Sequence, residues 1–395
     1  MPARTTRVLT VAVFLTMTGF ALVAPILPLY AREFGVSRTG AGFLVSSFAI
    51  ARLIFDPIGG VATDRLGPRR IMTVGGIVVA ASSVLAALAP TYGILVVARI
   101  LEGFGSAAFA TAAMHTIVTR TSKERMGREM AFFQTGLLGG VAVGPFIGGR
   151  AAELGDFATP FWIYAVMGVV VAVLAWSFVE DAEPSGKSAR ELWRSAGQTA
   201  RTPAFAGLLF VAFAMFVMRA GARVTLLPLF GAEELGLSES QIGDVLAISA
   251  LVTVLVVNPG GWLVDRVGRR PILVGGLVLT AASVVLYGQM TSYGGLLVVS
   301  IVFGVVAGVL GIVPPTLAGD LAPPGGEGAA VGMYRMAGDL GLIVGPVMLG
   351  AVADTGDFAL GFNISAGLLL AAAVVGLGMR DTVRRPPVQV RTDVP

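Results

Sequence analysis

The sequence predicts an all-α membrane protein in which twelve transmembrane helices form two pseudo-symmetric bundles of six. Three observations predict this class: an apolar composition, twelve apolar segments of membrane-spanning length, and an internal repeat. Of the 395 residues, 55% are hydrophobic and only 13% are charged, whereas soluble domains carry about 25% charged residues. The composition therefore excludes a soluble globular protein.

The composition also argues against an enzyme. The chain has no cysteine and a single histidine, His115, so it offers no thiolate ligand or cysteine nucleophile and too few histidines for a zinc site. The sequence shows no pairing of a nucleophile with a base. We therefore predict a protein that is not an enzyme and that holds no metal ion and no cofactor.

Twelve segments are long enough to cross a bilayer, for which a helix needs about 20 apolar residues. The connections between them are too short for a soluble domain. The predicted spans, numbered 1 to 12 in chain order, are residues 8–30, 39–62, 71–90, 93–118, 129–150, 159–179, 204–230, 240–264, 271–290, 294–318, 329–352 and 358–379.

The basic residues predict the orientation, because short cytoplasmic loops of membrane proteins are rich in Lys and Arg. Three basic residues fall in predicted outer connections, namely Arg32, Arg38 and Arg150. This bias predicts cytoplasmic termini in the inner membrane of a bacterium, and it explains the net charge of +4 without a nucleic-acid partner. The inner connections and tails hold Arg4, Arg7, Arg65, Arg69, Arg70, Arg120, Lys123, Arg125, Arg128, Lys187, Arg190, Arg194, Arg201, Arg266, Arg269, Arg270, Arg380, Arg384, Arg385 and Arg391.

The two halves of the chain repeat at an offset of about 200 residues. We predict an N-terminal bundle at 1–183, a linker at 184–203 and a C-terminal bundle at 204–395. The linker is either a tether or a short amphipathic helix on the inner membrane surface. Internal duplication is typical of secondary transporters that bind substrate between the repeats. The recurring patterns are Pro28-Leu29-Tyr30 with Pro228-Leu229-Phe230, Asp64-Arg65 with Asp265-Arg266, and Gly140-x-x-x-Gly144-Pro145 with Gly341-x-x-x-Gly345-Pro346.

Three motifs lie in the loop between spans 2 and 3, in span 4 and in span 5. The turn motif contains Gly60, Asp64, Arg65, Gly67 and Arg69, and its charges suit a loop that latches to neighbouring helices and releases them. Span 4 contains Arg99-Ile100-Leu101-Glu102-Gly103-Phe104-Gly105. Span 5 contains small residues that suit close helix packing, and a proline that bends the helix; these are Gly140, Gly144, Pro145, Gly148 and Gly149.

With these motifs the chain resembles the major facilitator superfamily, in particular its twelve-helix drug:proton antiporters. The span 5 sequence matches the antiporter motif fully, whereas Glu102 stands where the span 4 motif usually has glutamine. The resemblance implies alternating access, the proton gradient as energy source, Arg99 as a coupling residue, a lipid-embedded monomer and an amphipathic small-molecule substrate.

Ionisable side chains inside spans are costly and are therefore candidates for function. Three pairs share a helix face at spacings of three or four residues. Span 7 differs, because Arg219 and Arg223 have no carboxylate on their own helix. We expect Arg223 to extend toward the outer surface and Arg219 to need a partner. The pairs are Arg52 with Asp56, Arg99 with Glu102, and Arg335 with Asp339.

Proton coupling requires a carboxylate, because arginine does not titrate in proteins. A neighbouring arginine favours the ionised form, whereas burial without it favours the protonated form. The buried choices are Asp56, Glu102 and Asp339, of which we predict Glu102 as the proton carrier, with Asp56 second. Comparison of the halves aligns Arg99 with Ile301 and Glu102 with Gly304, so the fold itself does not require these charges.

The substrate cavity is expected to be lined by Arg219, Arg223, Arg52, Arg335, Phe109 and Phe216. Because the spans hold more arginines than carboxylates, a neutral or anionic amphiphile suits them better than a cation. We predict proton-coupled export of drugs or amphipathic molecules. The alternatives are a proton symporter that takes up a sugar or organic anion, and a non-transporting membrane sensor.

Overall fold

The computed structural model describes residues 3–121, 125–180, 202–322 and 327–379. The regular structure in these ranges is helical throughout. Twelve of the helical segments are long and apolar enough to cross a membrane. The predicted all-α fold with twelve spans is therefore confirmed. The predicted linker at 184–203, including its amphipathic helix, lies outside the described residues apart from its last two, so the domain division stays a prediction.

Most spans are single helices, and three are interrupted. Span 1 comprises Ala3–Val23 and Leu27–Glu33, and span 10 comprises Tyr293–Leu310 and Val313–Asp320. Span 7 begins as the α-helix Pro203–Val217, continues as the π-helix Met218–Leu226 and ends as Leu227–Glu233. The others are Arg38–Leu66 (span 2), Pro68–Ala87 (span 3), Tyr92–Arg120 (span 4), Met126–Leu154 (span 5), Thr159–Phe178 (span 6), Glu239–Val267 (span 8), Arg269–Tyr287 (span 9), Glu327–Ala353 (span 11) and Phe358–Leu377 (span 12).

The helices begin and end at residues that suit helix termini. Ser37 and Ser238 precede spans 2 and 8, and each side-chain oxygen accepts a hydrogen bond from a backbone N–H of the first turn. Such caps satisfy backbone groups that have no partner inside the helix. Gly67 and Gly268 end spans 2 and 8 with φ of 86° and 105°, a conformation that glycine adopts at little cost.

The two halves pack in the same way. In the N-terminal half, span 5 packs on span 1, and span 4 packs on spans 2 and 3. In the C-terminal half, span 11 packs on span 7, and span 10 packs on spans 8 and 9. The halves meet mainly along two helix pairs, span 2 with span 11 and span 5 with span 8. We call the membrane end that contains Ala3 proximal and the opposite end distal.

Candidate functional site

A cavity of about 130 Å³ lies between the two halves. Spans 1, 2, 4 and 5 contribute its wall on one side, and spans 7, 8 and 11 contribute the other. Three lining residues are basic, Arg99, Arg219 and Arg223, and none is acidic. Most of the remaining wall is apolar, including Phe20, Leu27, Phe48, Val141, Leu246 and Leu342.

Arg99 and Glu102 form a buried ion pair in the N-terminal wall. Their exposed fractions are 2% and 1%. Arg99 lines the cavity and Glu102 does not, so the carboxylate lies behind the arginine. The Arg99 guanidinium lies 5.0 Å from the centroid of the Phe48 ring. The Tyr164 hydroxyl faces the same carboxylate from span 6. The pair thus places a carboxylate one side chain away from the substrate space.

The structure corrects the alignment of this pair with the C-terminal half. Thr91 and Ser292 cap the first turns of spans 4 and 10. Gly103 and Gly304 then pack against the carbonyls of Phe48 and Ser249. These two matches fix an offset of 201 residues, so the alignment with Ile301 and Gly304 was wrong by one residue. The equivalents are Ser300 for Arg99 and Phe303 for Glu102, which leaves both charges without a copy.

Arg219 and Arg223 both lie on the π-helix of span 7 and line the cavity. The sequence suggested that Arg223 extends toward the distal surface, but the structure shows that it does not. It donates a hydrogen bond to the Ser249 hydroxyl, and its guanidinium lies 4.3 Å from the centroid of the Phe303 ring. Arg219 lies 6.0 Å from the Phe216 ring and forms no ion pair with a carboxylate of the described residues.

The other four intramembrane charges form one cluster between spans 2 and 11. Arg52 Nη2 lies 3.4 Å from Asp56 Oδ2, and Arg335 Nη2 approaches the same oxygen to 3.9 Å across the boundary between the halves. Asp339 is 5% exposed and belongs to the same electrostatic group. None of the four lines the cavity. The sequence predicted that Arg52 and Arg335 contact substrate, but both contact a carboxylate instead.

The two predicted aromatic cavity residues also lie elsewhere. Phe109 is 1% exposed and packs in the core of the N-terminal half with Leu9 and Met72, so its assignment to the cavity is wrong. Phe216 packs against Gly338 and the ring of Tyr334, beneath Arg219 rather than in the cavity wall. The apolar stripe that lines the cavity instead includes Phe20 and Phe48.

The span 5 motif packs the helix against a neighbour in each half. A Cβ added at Gly140 or Gly144 would lie 2.5–2.7 Å from span 1 atoms, and Gly148 approaches the Leu22 carbonyl. Gly149 approaches the Glu239 carbonyl in span 8, and the Pro145 carbonyl lies against Gly243. The motif therefore builds both the N-terminal bundle and its contact with the opposite half.

The turn motif contacts helices of its own half. Arg65 is exposed, Gly67 forms the turn, and the Arg69 guanidinium lies 4.1 Å from the Trp176 ring at the end of span 6. In the repeat, Arg270 donates to the Leu377 carbonyl at the end of span 12. The surroundings of Gly60 and the side chain of Asp64 lie outside what the structure describes, so the gating assignment stays a prediction.

Ion pairs across the distal end were missed by the sequence reasoning. Arg32 and Arg38 both contact Glu233, at 3.1 and 2.6 Å, and Arg150 Nη1 lies 2.6 Å from Asp244 Oδ1. All three predicted outer arginines thus bind acids of the C-terminal half. The sequence did contain a signal for these pairs. The outer arginines all belong to the N-terminal half, and acidic residues occupy outer positions of the C-terminal half.

Asp354 adds a further distal contact. Its carboxylate accepts hydrogen bonds from the backbone N–H groups of Arg38 and Thr39, at 2.8 and 3.0 Å, and so caps span 2 from the opposite half. Burial alone would raise the pKa of the Asp354 carboxyl, but hydrogen bonds from Thr39, Arg38 and Ser37 outweigh burial and lower this pKa.

Comparison with known proteins places this architecture in one family. The chain is 24% identical over 377 residues to an uncharacterised MFS-type transporter of Methanocaldococcus jannaschii, covering 94% of this chain and 96% of that protein. It is 26% identical over 386 residues to Multidrug resistance protein 2 of Bacillus subtilis, with 93% and 92% covered. It is also 26% identical to the quinolone resistance protein NorA of Staphylococcus aureus over 176 residues, which cover 45% of each chain.

Solved structures share the fold at lower identity. The nucleoside transporter NupG superposes with a TM-score of 0.77 at 16% identity, covering 95% of this chain and 98% of that chain. The human organic anion transporter MFSD10 gives 0.70 at 18%, covering 95% and 100%. The family model described as Major Facilitator Superfamily matches residues 9–238 and 208–393. The chain is therefore a multi-pass membrane transporter that belongs to the Major Facilitator Superfamily.

Proposed function

We propose that this transporter exports amphipathic small molecules, drugs among them, in exchange for protons by alternating access. In this proposal it is a monomer in the inner membrane of a bacterium, with both termini in the cytoplasm and the proton gradient as its energy source. The observation that carries the proposal is the buried Arg99–Glu102 pair in the wall of the cavity between the halves.

The pair suits proton coupling because Glu102 can neutralise Arg99 only while it is ionised. A proton on Glu102 removes that partner and leaves a cation at the cavity wall, and loss of the proton restores the pair. Leaving a buried charge without its partner is costly. Protonation therefore changes the free energy of the N-terminal wall at the place where substrate binds.

Alternating access requires contacts between the halves that can break and re-form. The distal ion pairs join the N-terminal arginines Arg32, Arg38 and Arg150 to the C-terminal half. The cluster of Arg52, Asp56, Arg335 and Asp339 joins spans 2 and 11 closer to the proximal end. The distal pairs are partly exposed, and exposed ion pairs contribute about 0.2–1 kcal/mol each, so thermal motion and ligand binding can break and re-form the distal pairs. Asp56 is the second proposed proton site.

Transport in proteoliposomes tests the proposal. A quinolone and a panel of other amphiphiles are offered to vesicles with an imposed pH gradient. Antiport predicts accumulation in vesicles with an acidic lumen, whereas symport predicts accumulation in vesicles with an alkaline lumen. Uptake that ignores the gradient would contradict proton coupling.

Substitutions test the residues. We expect Glu102→Gln to abolish gradient-driven accumulation and Asp56→Asn to reduce it, while the exposed control Glu234→Gln accumulates substrate as the unaltered protein does. Native accumulation by both Glu102→Gln and Asp56→Asn would show that neither carboxylate carries the proton.

A further inference from the structure

The cavity has an excess of positive charge that the protein does not balance. Three arginines line it and no carboxylate does. Arg99 is balanced by Glu102. Arg219 and Arg223 have no carboxylate partner among the described residues, so two positive charges at the C-terminal wall are left without a counter-charge.

The partners that these two arginines do have are neutral. Arg223 contacts a hydroxyl and an aromatic ring, and its buried Nε has no hydrogen-bond acceptor. Arg219 faces the ring of Phe216 at 6.0 Å. A guanidinium stays protonated in proteins. Arg223 is half-buried and Arg219 is exposed at the cavity, so both charges are accessible to a ligand. An anion in the cavity would supply both the missing charge and the missing acceptor.

The rest of the cavity limits what that anion can be. Most of the remaining lining on both sides is apolar, including Phe20, Leu246 and Leu342, so a small inorganic ion would leave this apolar surface uncovered. The volume of 130 Å³ is close to the ~150 Å³ of a cavity that admits benzene. It is smaller than the ~300–1,000 Å³ of pockets for drug-sized ligands.

We propose that this cavity binds an amphipathic organic anion. Its carboxylate, sulfonate or phosphate group is held by Arg219 and Arg223, and its aromatic or aliphatic body lies against the apolar side chains that line the rest of the cavity. In the described conformation the cavity holds a body of about one ring, and a larger ligand extends beyond it or requires the halves to move apart. The inference rests on the proposed function, because it names the substrate class of that same cavity.

Binding of a matched ligand series tests the inference. The probes are radiolabelled 2-naphthoate, its neutral amide 2-naphthamide and the cation 2-naphthylmethylammonium, measured on purified full-length protein at pH 7.5. We expect the order naphthoate, then amide, then cation. Equal or tighter binding of the cation overturns the proposal.

Substitutions identify the residues involved. We expect Arg219→Gln and Arg223→Gln each to weaken naphthoate binding about tenfold or more, because each removes a charge-assisted hydrogen bond. Naphthamide binding should change little. Arg219→Lys keeps the charge and should retain part of the affinity. The control Arg7→Gln removes the same charge from an exposed position on span 1 and should bind naphthoate as the unaltered protein does. Undiminished binding by both cavity variants contradicts the assignment.

The result can be separated from the proposed function. If a neutral or cationic drug is transported under the pH gradient but naphthoate does not bind, the substrate class is wrong and proton-coupled export stands. If naphthoate binding requires Arg219 but no substrate responds to the gradient, the anion site stands and proton coupling is wrong.

Discussion

The two walls of the cavity use arginine in opposite ways. In the N-terminal wall, Arg99 is paired with Glu102 inside one helix, and both are buried. Ser300 and Phe303 occupy the equivalent positions of span 10. The cation next to Phe303 is Arg223, which comes from span 7. The N-terminal wall thus contains a counter-charge for its arginine, whereas the described residues supply none for the arginines of the C-terminal wall.

A duplicated fold can thus assign different tasks to its two halves. A wall that contains its own carboxylate can exchange a proton without a ligand. A wall with unbalanced cations is completed only by a ligand that brings negative charge. The proposed proton site and the proposed anion site therefore lie on opposite sides of one cavity, where each can influence the other electrostatically.

The largest loss of stability is expected from a substitution in the N-terminal wall. Glu102→Gln leaves Arg99 buried without its partner, which should lower the free energy of unfolding by about 3–5 kcal/mol. The double variant Arg99→Gln with Glu102→Gln should regain most of that loss. Unfolding in mixed detergent micelles measures both. Single and double variants with equal losses would show that the pair is not coupled.

A smaller loss of stability is expected from a substitution in the C-terminal wall. Ser249→Ala removes the hydroxyl that accepts the Arg223 hydrogen bond, and a hydrogen bond to a charged group contributes about 1.5–3 kcal/mol. The same unfolding measurement should show this loss in Ser249→Ala and almost none in a variant that also carries Arg223→Met. A full loss in the double variant would mean that Ser249 acts through packing alone.

A substitution can give the C-terminal wall the carboxylate that it lacks. Phe303→Glu places a carboxylate at the position equivalent to Glu102, close to the Arg223 guanidinium. We expect naphthoate affinity to fall about tenfold, since an internal carboxylate competes with the ligand for the arginine. Phe303→Leu removes the ring without adding charge and should keep most of the affinity. Similar losses in the two variants would point to the ring rather than to charge.

The smallest effect is expected at the distal end, where the N-terminal half supplies arginines and the C-terminal half supplies acids. Because hydrogen bonds lower the Asp354 pKa in the closed state, its contribution is complete at neutral pH. That contribution is lost as the pH falls below the ordinary value of 3.8 and through the lowered pKa. Asp354→Asn should destabilise distal closure by about 0.2–1 kcal/mol, the range for exposed charges.

Spin labels can measure this closure. The chain contains no native cysteine, so labels attached at Glu33→Cys and Asp357→Cys report one distance across the distal end. We expect acid and Asp354→Asn each to shift the distance distribution toward longer values, and acid to cause a smaller shift in the Asp354→Asn variant than in the unaltered protein. An acid response of equal size in both proteins would assign the pH effect to another group.

The sequence predicted what depends on local pattern. The twelve spans follow from apolar length, and the Arg99–Glu102 pair follows from a spacing of three residues on one helix. The partner of Arg223 did not follow, because Ser249 is brought to it only by the packing of span 8 against its neighbours. Phe109 was misplaced because every face of a membrane helix is apolar, so hydrophobicity does not distinguish the cavity face from the core.

The π-helix of span 7 has a consequence for how the halves diverged. Gly140 and Gly341 approach the carbonyls of Phe14 and Phe213, which sets the offset of spans 1 and 7 at 199, whereas Pro28 and Pro228 give 200. Span 7 thus carries one inserted residue between these points, within the interval that contains Met218–Leu226. An extra residue turns a helix by about 100°, and a π-helix absorbs it in a wider turn. The span 1 equivalents of Arg219 and Val224, which are Phe20 and Ala24, also line the cavity. The wider turn therefore keeps both ends of span 7 in the register of span 1, and deletion of a single residue in this segment should restore that register without a π-helix.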